Sequence, residues 1–289
     1  MTRPEAAGPE HRSLARRVAG RLRRIVRRLR RRAFRRFDPG PSASERALRK
    51  RLRRQGASLH PRRPAGIWRE WPDTALRTHT QVEQAMAEIS ACGLPPHPER
   101  TKNWDLLIAL GLILERTPTR GAVLEMGSTQ YSKLLPWLYL YGYRSLVGID
   151  LVYDAPIVAD PIVYRPMDLT RTTFADASFD AIACLSVIEH GVDLATFARE
   201  SARLLRPGGI LVASTDYWHE PVDTGGQEAY GVPIRILTPA DITSLIEAAR
   251  AAGLRELRQF DPRCEERVVR WAHYGLDYTF AAVAFERPR

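Results

Sequence analysis

Residues 179–215 read FDAIACLSVIEHGVDLATFARESARLLRPGGILVAST. Phe179–Leu185 is a short run that is apolar except for Asp180, the length and composition of a buried strand. Asp193–Leu205 then carries apolar residues at helical spacing. Arg206-Pro207-Gly208-Gly209 punctuates the chain as a turn, and Ile210–Thr215 is a second apolar run. Two strands without polar alternation, joined by a helix, belong to a parallel sheet covered on both faces.

The same alternation extends in both directions. Upstream, Asn103–Arg116 reads as a helix, Ala122–Met126 as a strand, Tyr131–Tyr141 as a helix, and Ser145–Ile149 and Pro161–Arg165 as strands. Downstream, Thr238 caps a helix with Pro239 in its first turn and Gly253 beyond its end. Leu254–Phe260 and Tyr278–Phe285 read as the last strands. The expected fold is therefore α/β, a doubly wound, mostly parallel sheet of seven strands. Such sheets bind ligands at the carboxyl ends of their strands, near the point where strand order reverses. The residues just past each strand are thus the first functional candidates.

The chain has 289 residues, ample for a buried core without metal or disulfide support. No run approaches the roughly 20 apolar residues of a membrane span. Cys92, Cys184 and Cys264 are too scattered for a disulfide framework or a zinc site, which suits a reducing, cytoplasmic location. Charge is divided unevenly. Residues 1–63 carry a net charge of +18 and residues 64–289 a net charge of −7. The expected division is a basic helical arm over 1–63, an irregular linker or lid over 64–100 with one helix near Thr80–Ser90, and the sheet domain over 101–289.

In the arm, Leu14, Val18, Leu22, Ile25, Leu29, Ala33 and Phe37 fall on one helical face among arginines, and Asp38-Pro39-Gly40-Pro41 stops the helix. A second basic helix is expected from Ser44 to Arg54. A solvated tail, a helix lying on an anionic membrane surface through residues 13–37, and a grip on nucleic-acid phosphates all fit this pattern. Few aromatics are available for base stacking, which counts against the last.

The strand ends carry the chemistry. The first loop, Val123-Leu124-Glu125-Met126-Gly127-Ser128-Thr129-Gln130, has one glycine where a dinucleotide site wants three. An acid two residues before that glycine suits an ammonium or sulfonium ligand better than a pyrophosphate. Asp150 ends the second strand, 23 residues beyond Gly127, where a carboxylate can accept both ribose hydroxyls.

Taken in order, VLEMGS, VGIDL, MDLT, FDAIACLSVIEHG and LLRPGGILVASTDY resemble the motifs of class I S-adenosylmethionine-dependent methyltransferases, in the subgroup acting on small molecules, lipids and sugars. The resemblance runs from about Lys102 to Phe285. It implies the Rossmann-like methyltransferase fold and S-adenosyl-L-methionine as cofactor. It implies that Glu125 and Gly127 hold the amino-acid end, with Ser128 and Thr129 in the same loop. Asp150 would take the ribose hydroxyls and Leu151 would pack on the adenine. Asp168 would take the adenine amino group, helped by the Leu169 backbone, and Ser186 would sit by the methionine part. The departure is the loop itself, where Ser128, Thr129 and Gln130 replace later glycines.

Methyl transfer to a hydroxyl or amine also wants a base near neutral pH. His190, after the fourth strand, is the first candidate and His219, after the fifth, the second, with Asp216 able to orient either one. The long segment from Asp216 to Pro233 is rich in aromatics and acids, as an acceptor pocket for a saccharide would be. Lys102-Asn103-Trp104-Asp105 is placed to act as a lid. The expected acceptor is a hydroxyl on a small molecule, lipid-linked intermediate or saccharide. The rival readings are an RNA methyltransferase using the arm, a binding module that kept the fold and lost turnover, and a nicotinamide oxidoreductase, which the missing glycines disfavour.

Overall fold

The computed structural model describes residues 45–289. The amphipathic helix expected over residues 13–37 lies outside the described residues. The first element is helix α1 (Glu45–Arg54), followed by a 3-10 turn (Ile67–Glu70), β1 (Thr74–Ala75) and α2 (His79–Ala91). The sheet domain proper begins with α3 (Lys102–Arg116), β2 (Ala122–Met126), α4 (Leu134–Leu140), β3 (Ser145–Asp150), β4 (Ile157–Ala159) and β5 (Ile162–Pro166). It continues with β6 (Phe179–Leu185), α5 (Leu194–Leu204), β7 (Leu205–Tyr217), β8 (Glu228–Ala229) and β9 (Val232–Pro233). Helix α6 (Pro239–Ala251), β10 (Arg255–Glu256), β11 (Val269–Trp271) and β12 (Leu276–Glu286) complete it.

The main sheet runs β1-β12-β7-β6-β2-β3-β5-β4, with β10 and β11 also paired to β12. β5, β3, β2, β6 and β7 are mutually parallel, while β12 returns antiparallel to β7. From β2 the chain moves outward through β3 to β5, then crosses back to place β6 on the other flank of β2. Order therefore reverses between β2 and β6, and a crevice opens above their carboxyl ends. All seven expected strands are present among the described residues. The penultimate one is shorter than the run Leu254–Phe260 suggested, because only Arg255 and Glu256 pair with β12. The expected turn at 206–209 lies within β7, where Gly208 has φ 82° and the register with β6 shifts between Phe179 and Ala181.

Residues 45–100 pack more closely on the sheet domain than an arm and linker would. Leu48 and Leu52 of α1 are fully buried in the same apolar core as α3 and α4. Tyr139 Oη donates to Glu45 Oε1 at 2.7 Å, and Tyr141 Oη donates to the Arg62 carbonyl at 2.6 Å. Residues 45–63 thus pack on the sheet domain, with no break in the core at position 63. Residues 64–100 are likewise integral: Trp68 and Trp71 are buried, and Trp71 stacks on Trp104 at 6.2 Å. The mid-helix Gly111 has a packing cause, since a Cβ there would lie 2.2 Å from the Trp68 ring. Short apolar residues in an Arg-rich stretch give a weak sequence signal, and only the facing surface of the sheet domain makes their burial favourable. Among the described residues no helix is long and apolar enough to cross a membrane.

Candidate active site

The crevice above β2 and β6 holds a cavity of about 680 Å³. Its floor comes from strand ends: Glu125, Met126 and Gly127 after β2, Asp150 at the end of β3, Leu185 and Ser186 after β6, and Asp216 in β7. Its side comes from α3 and the turn before it (His97, Lys102, Asp105), and its far wall from Tyr230, Trp271, Tyr278 and Phe280.

Gly127 turns the chain at φ 76°, and an added Cβ would lie 2.3 Å from Val187. The loop after β2 therefore packs directly on the loop after β6, which only glycine permits. Ser128, one of the residues standing where glycines were expected, points inward and is buried. Its Oγ donates to Glu125 Oε2 at 2.6 Å, and Ser132 Oγ donates to Oε1. The missing glycine is thus a second-row hydroxyl that orients the carboxylate and leaves the cavity open. Burial raises the Glu125 pKa to about 7 against these two hydrogen bonds.

Ser186 stands at φ 51°, a left-handed turn that bends the chain off β6 along the cavity rim. Its N–H donates to Ser214 Oγ at 3.1 Å and to the Ser214 carbonyl at 3.0 Å. Ser214 Oγ in turn donates to Asp105 Oδ2 at 2.7 Å. Asp105 Oδ1 is buried without a hydrogen-bond partner among the described residues. Lys102, one helical turn earlier, has its Nζ 4.8 Å from the Phe280 ring centroid. Burial opposes the Lys102 ammonium, but Asp105, Glu189, Asp216 and Glu99 outweigh it and raise its pKa. Glu189 and Asp216 are both buried; burial raises both, Asp216 adds to the rise at Glu189 and Asp105 to that at Asp216, while Lys102 pulls both down. Tyr278 donates to Asp216, and Thr215 Oγ1 to Glu189 Oε2 at 3.3 Å.

Of the residues expected from sequence, Glu125, Gly127, Thr129, Asp150, Ser186 and His190 border this one cavity. Ser128 supports it from behind. Asp150 is buried, with Oδ1 accepting from Val152 N at 2.7 Å. Leu151 is outside the lining and 39% exposed. Asp168 and Leu169 also lie outside it; Asp168 Oδ1 accepts from Thr170 N and Oγ1, a local turn. His219 lies outside the cavity lining, its Nδ1 3.2 Å from Cys264 Sγ, next to the buried Trp218 whose ring Arg267 covers. His190 is at the rim, edge-on to Tyr230 at 5.2 Å. Of the long segment 216–233, Asp216 and Tyr230 reach the cavity.

Sequence reasoning missed Glu189 and Tyr278 as site residues. Glu189 stood in the quoted motif beside His190, and its position just past β6 was the available signal. Tyr278 reaches the site only because β12 runs back along β7. The segment Lys102–Asp105 braces the turn before it and borders the cavity. Asn103 braces the preceding turn, with Oδ1 accepting from His97 N at 2.7 Å and Nδ2 donating to the Arg100 carbonyl at 2.8 Å. Lys102 and Asp105 meanwhile face the cavity.

A parallel sheet with an antiparallel last strand, a buried acid beside the single glycine of the first loop and a second acid ending the next strand are the arrangement that the resemblance to class I S-adenosylmethionine-dependent methyltransferases leads one to expect. Residues 124–213 match the family model described as a methyltransferase domain. Among curated proteins, the chain is 33% identical over 133 residues to a probable S-adenosylmethionine-dependent methyltransferase of Mycolicibacterium smegmatis, covering 39% of this chain and 50% of that protein. It is 36% identical over 55 residues to a ubiquinone biosynthesis O-methyltransferase of a Methylobacterium species, covering 19% of this chain and 22% of that one. The chain thus spans half or less of the length of these relatives. A solved structure, 1,6-didemethyltoxoflavin-N1-methyltransferase of Burkholderia thailandensis, is similar at 18% identity and a TM-score of 0.48, covering 66% of this chain and 80% of that chain.

Proposed function

We propose that the protein transfers a methyl group from S-adenosyl-L-methionine to a hydroxyl of a small molecule, of the saccharide or lipid-linked kind. The observation that carries this reading is the convergence of Glu125, Asp150 and Ser186, from three separate strand ends, on one cavity. The donor set fits the cofactor: buried carboxylates for an ammonium and for ribose hydroxyls line the cavity, beside a loop that Gly127 turns at positive φ. Bound there, the cofactor supplies a methyl already made electrophilic by its sulfonium, so the protein need only position and deprotonate the acceptor.

Glu125, fixed by Ser128 and Ser132, holds the ammonium; Asp150 holds the ribose. Asp105, Glu189 and Asp216 form a polar floor whose carboxylates accept hydrogen bonds from acceptor hydroxyls. His190 accepts the proton released as the new oxygen–carbon bond forms. The name of the Methylobacterium relative, an O-methyltransferase, supports oxygen as the acceptor atom. The +18 charge of residues 1–63 supports docking on an anionic membrane surface.

Calorimetry with S-adenosylmethionine tests the cofactor assignment. Asp150→Ala should weaken binding by about tenfold or more, the value of a charge-assisted hydrogen bond pair. Unchanged affinity would sink it. Turnover of labelled cofactor against fractionated cell extract then tests His190→Ala; full turnover would remove His190 as the base.

A further inference from the structure

Beside the main cavity lies a smaller one of about 160 Å³, between α1 and the start of α4. Arg51 and Lys133 line it, together with Gln55, Gln130 and Tyr131. No Asp or Glu lines it among the described residues. Arg51 Nη1 is buried and has no hydrogen-bond partner among the described residues. Lys133 Nζ donates to the neutral Gln55 Oε1 at 3.3 Å. Arg69, Arg77 and Arg203, by contrast, each meet an acid: Glu115, Asp261 and Glu200.

We propose that this pocket binds a phosphate group carried by the methyl acceptor, held by the Arg51 guanidinium and the Lys133 ammonium. Two cations that face each other across a void, one with a buried N–H lacking an acceptor, are an unfavourable arrangement unless an anion completes it. Burial, and then the nearby Arg51, lower the Lys133 pKa, which is the mark of that uncompensated charge. A doubly charged phosphate balances both groups, where a carboxylate balances one. The guanidinium fork donates two parallel hydrogen bonds to such an oxyanion. Tyr131, Ser132 and Lys133 border both cavities. A phosphate in the small pocket therefore leaves the rest of the acceptor to reach the large one. The acceptor role rests on the methyl-transfer reading above; the anion pocket itself does not.

Titration calorimetry of the full chain with inorganic phosphate tests this, alone and with saturating S-adenosylhomocysteine. Arg51→Gln and Lys133→Gln should each weaken phosphate by about tenfold or more, as the loss of a charged hydrogen-bond donor does. Arg54→Gln, which removes the same charge from an exposed position of the same helix, should change it by less than about twofold, as an exposed charge does. Both pocket variants should melt at or above the wild-type temperature, since each removes an unpaired charge. Equal losses in all three variants would overturn the proposal in favour of diffuse attraction to a basic protein. Displacement of phosphate by S-adenosylhomocysteine would overturn it too, assigning the pocket to the carboxylate of the cofactor. Phosphate binding as expected, without any binding of S-adenosylhomocysteine, would keep the pocket and remove the methyl-transfer reading.

Discussion

Glu125 and Asp73 are both buried acids with a pKa raised to about 7 by burial, and they call for opposite experiments. Glu125 is expected to meet a cation, so it must lose its proton for binding. S-adenosylmethionine affinity should rise with pH up to about 7 and level off above it. Glu125→Gln should bind more weakly and without that pH dependence, which calorimetry at several pH values checks. Asp73 is structural. Its Oδ1 accepts from Ala284 N at 2.8 Å, and the residue sits at φ 62°. Because its folded pKa stands above the unfolded value of 3.8, the folded state binds more protons between 3.8 and about 7. Stability is therefore lost as pH rises through that window, by up to about 4 kcal/mol at 1.36 kcal/mol per unit. Asp73→Asn keeps the acceptor, tolerates the left-handed backbone and carries no charge. Its melting temperature should exceed that of the wild type at pH 8 and converge with it near pH 4.

The loop after β2 shows why a glycine count misleads without geometry. Gly127 is required twice, by its positive φ and by Val187, whereas Ser128 fills a space behind the cavity. Gly127→Ala should cost about 1–3 kcal/mol of stability from backbone strain and overpacking. Cofactor affinity should fall with it. Adding Val187→Ala should restore part of the loss by removing the clash, leaving the strain; thermal melts and calorimetry of the single and double variants check this. The helices before the sheet were legible as helices from their apolar spacing. Their place was not, because α1 has few apolar residues and its burial depends on a surface more than 80 positions away, where Tyr139 donates to Glu45.

Across the whole molecule, α1 belongs to the sheet domain. Leu48→Ala and Leu52→Ala should each destabilise by about 2–5 kcal/mol, the usual cost of emptying a fully buried leucine site. Chemical denaturation checks it; a loss below about 0.5 kcal/mol, the surface range, would mean α1 is only loosely attached. The sheet order does for the site what α1 does for the core. β12 passes beside β7 and brings Tyr278 and Phe280 opposite Asp216 and Lys102, residues otherwise more than sixty positions apart.

The sequence by itself determined the strands, the helices, their alternation and the acids at the ends of β2 and β3, because periodicity and turn residues are local properties and a doubly wound sheet follows from them. It also pointed to His190, and it placed Asp168, Leu169 and Leu151 in a site whose cavity they do not border. Only the tertiary structure decided that His219 lies outside the cavity, that Lys102, Asp105, Glu189, Asp216 and Tyr278 border one cavity, and that Arg51 and Lys133 line another. Those juxtapositions come from strand order and from burial between distant segments, and no short-range pattern encodes the distance between residues that the chain separates.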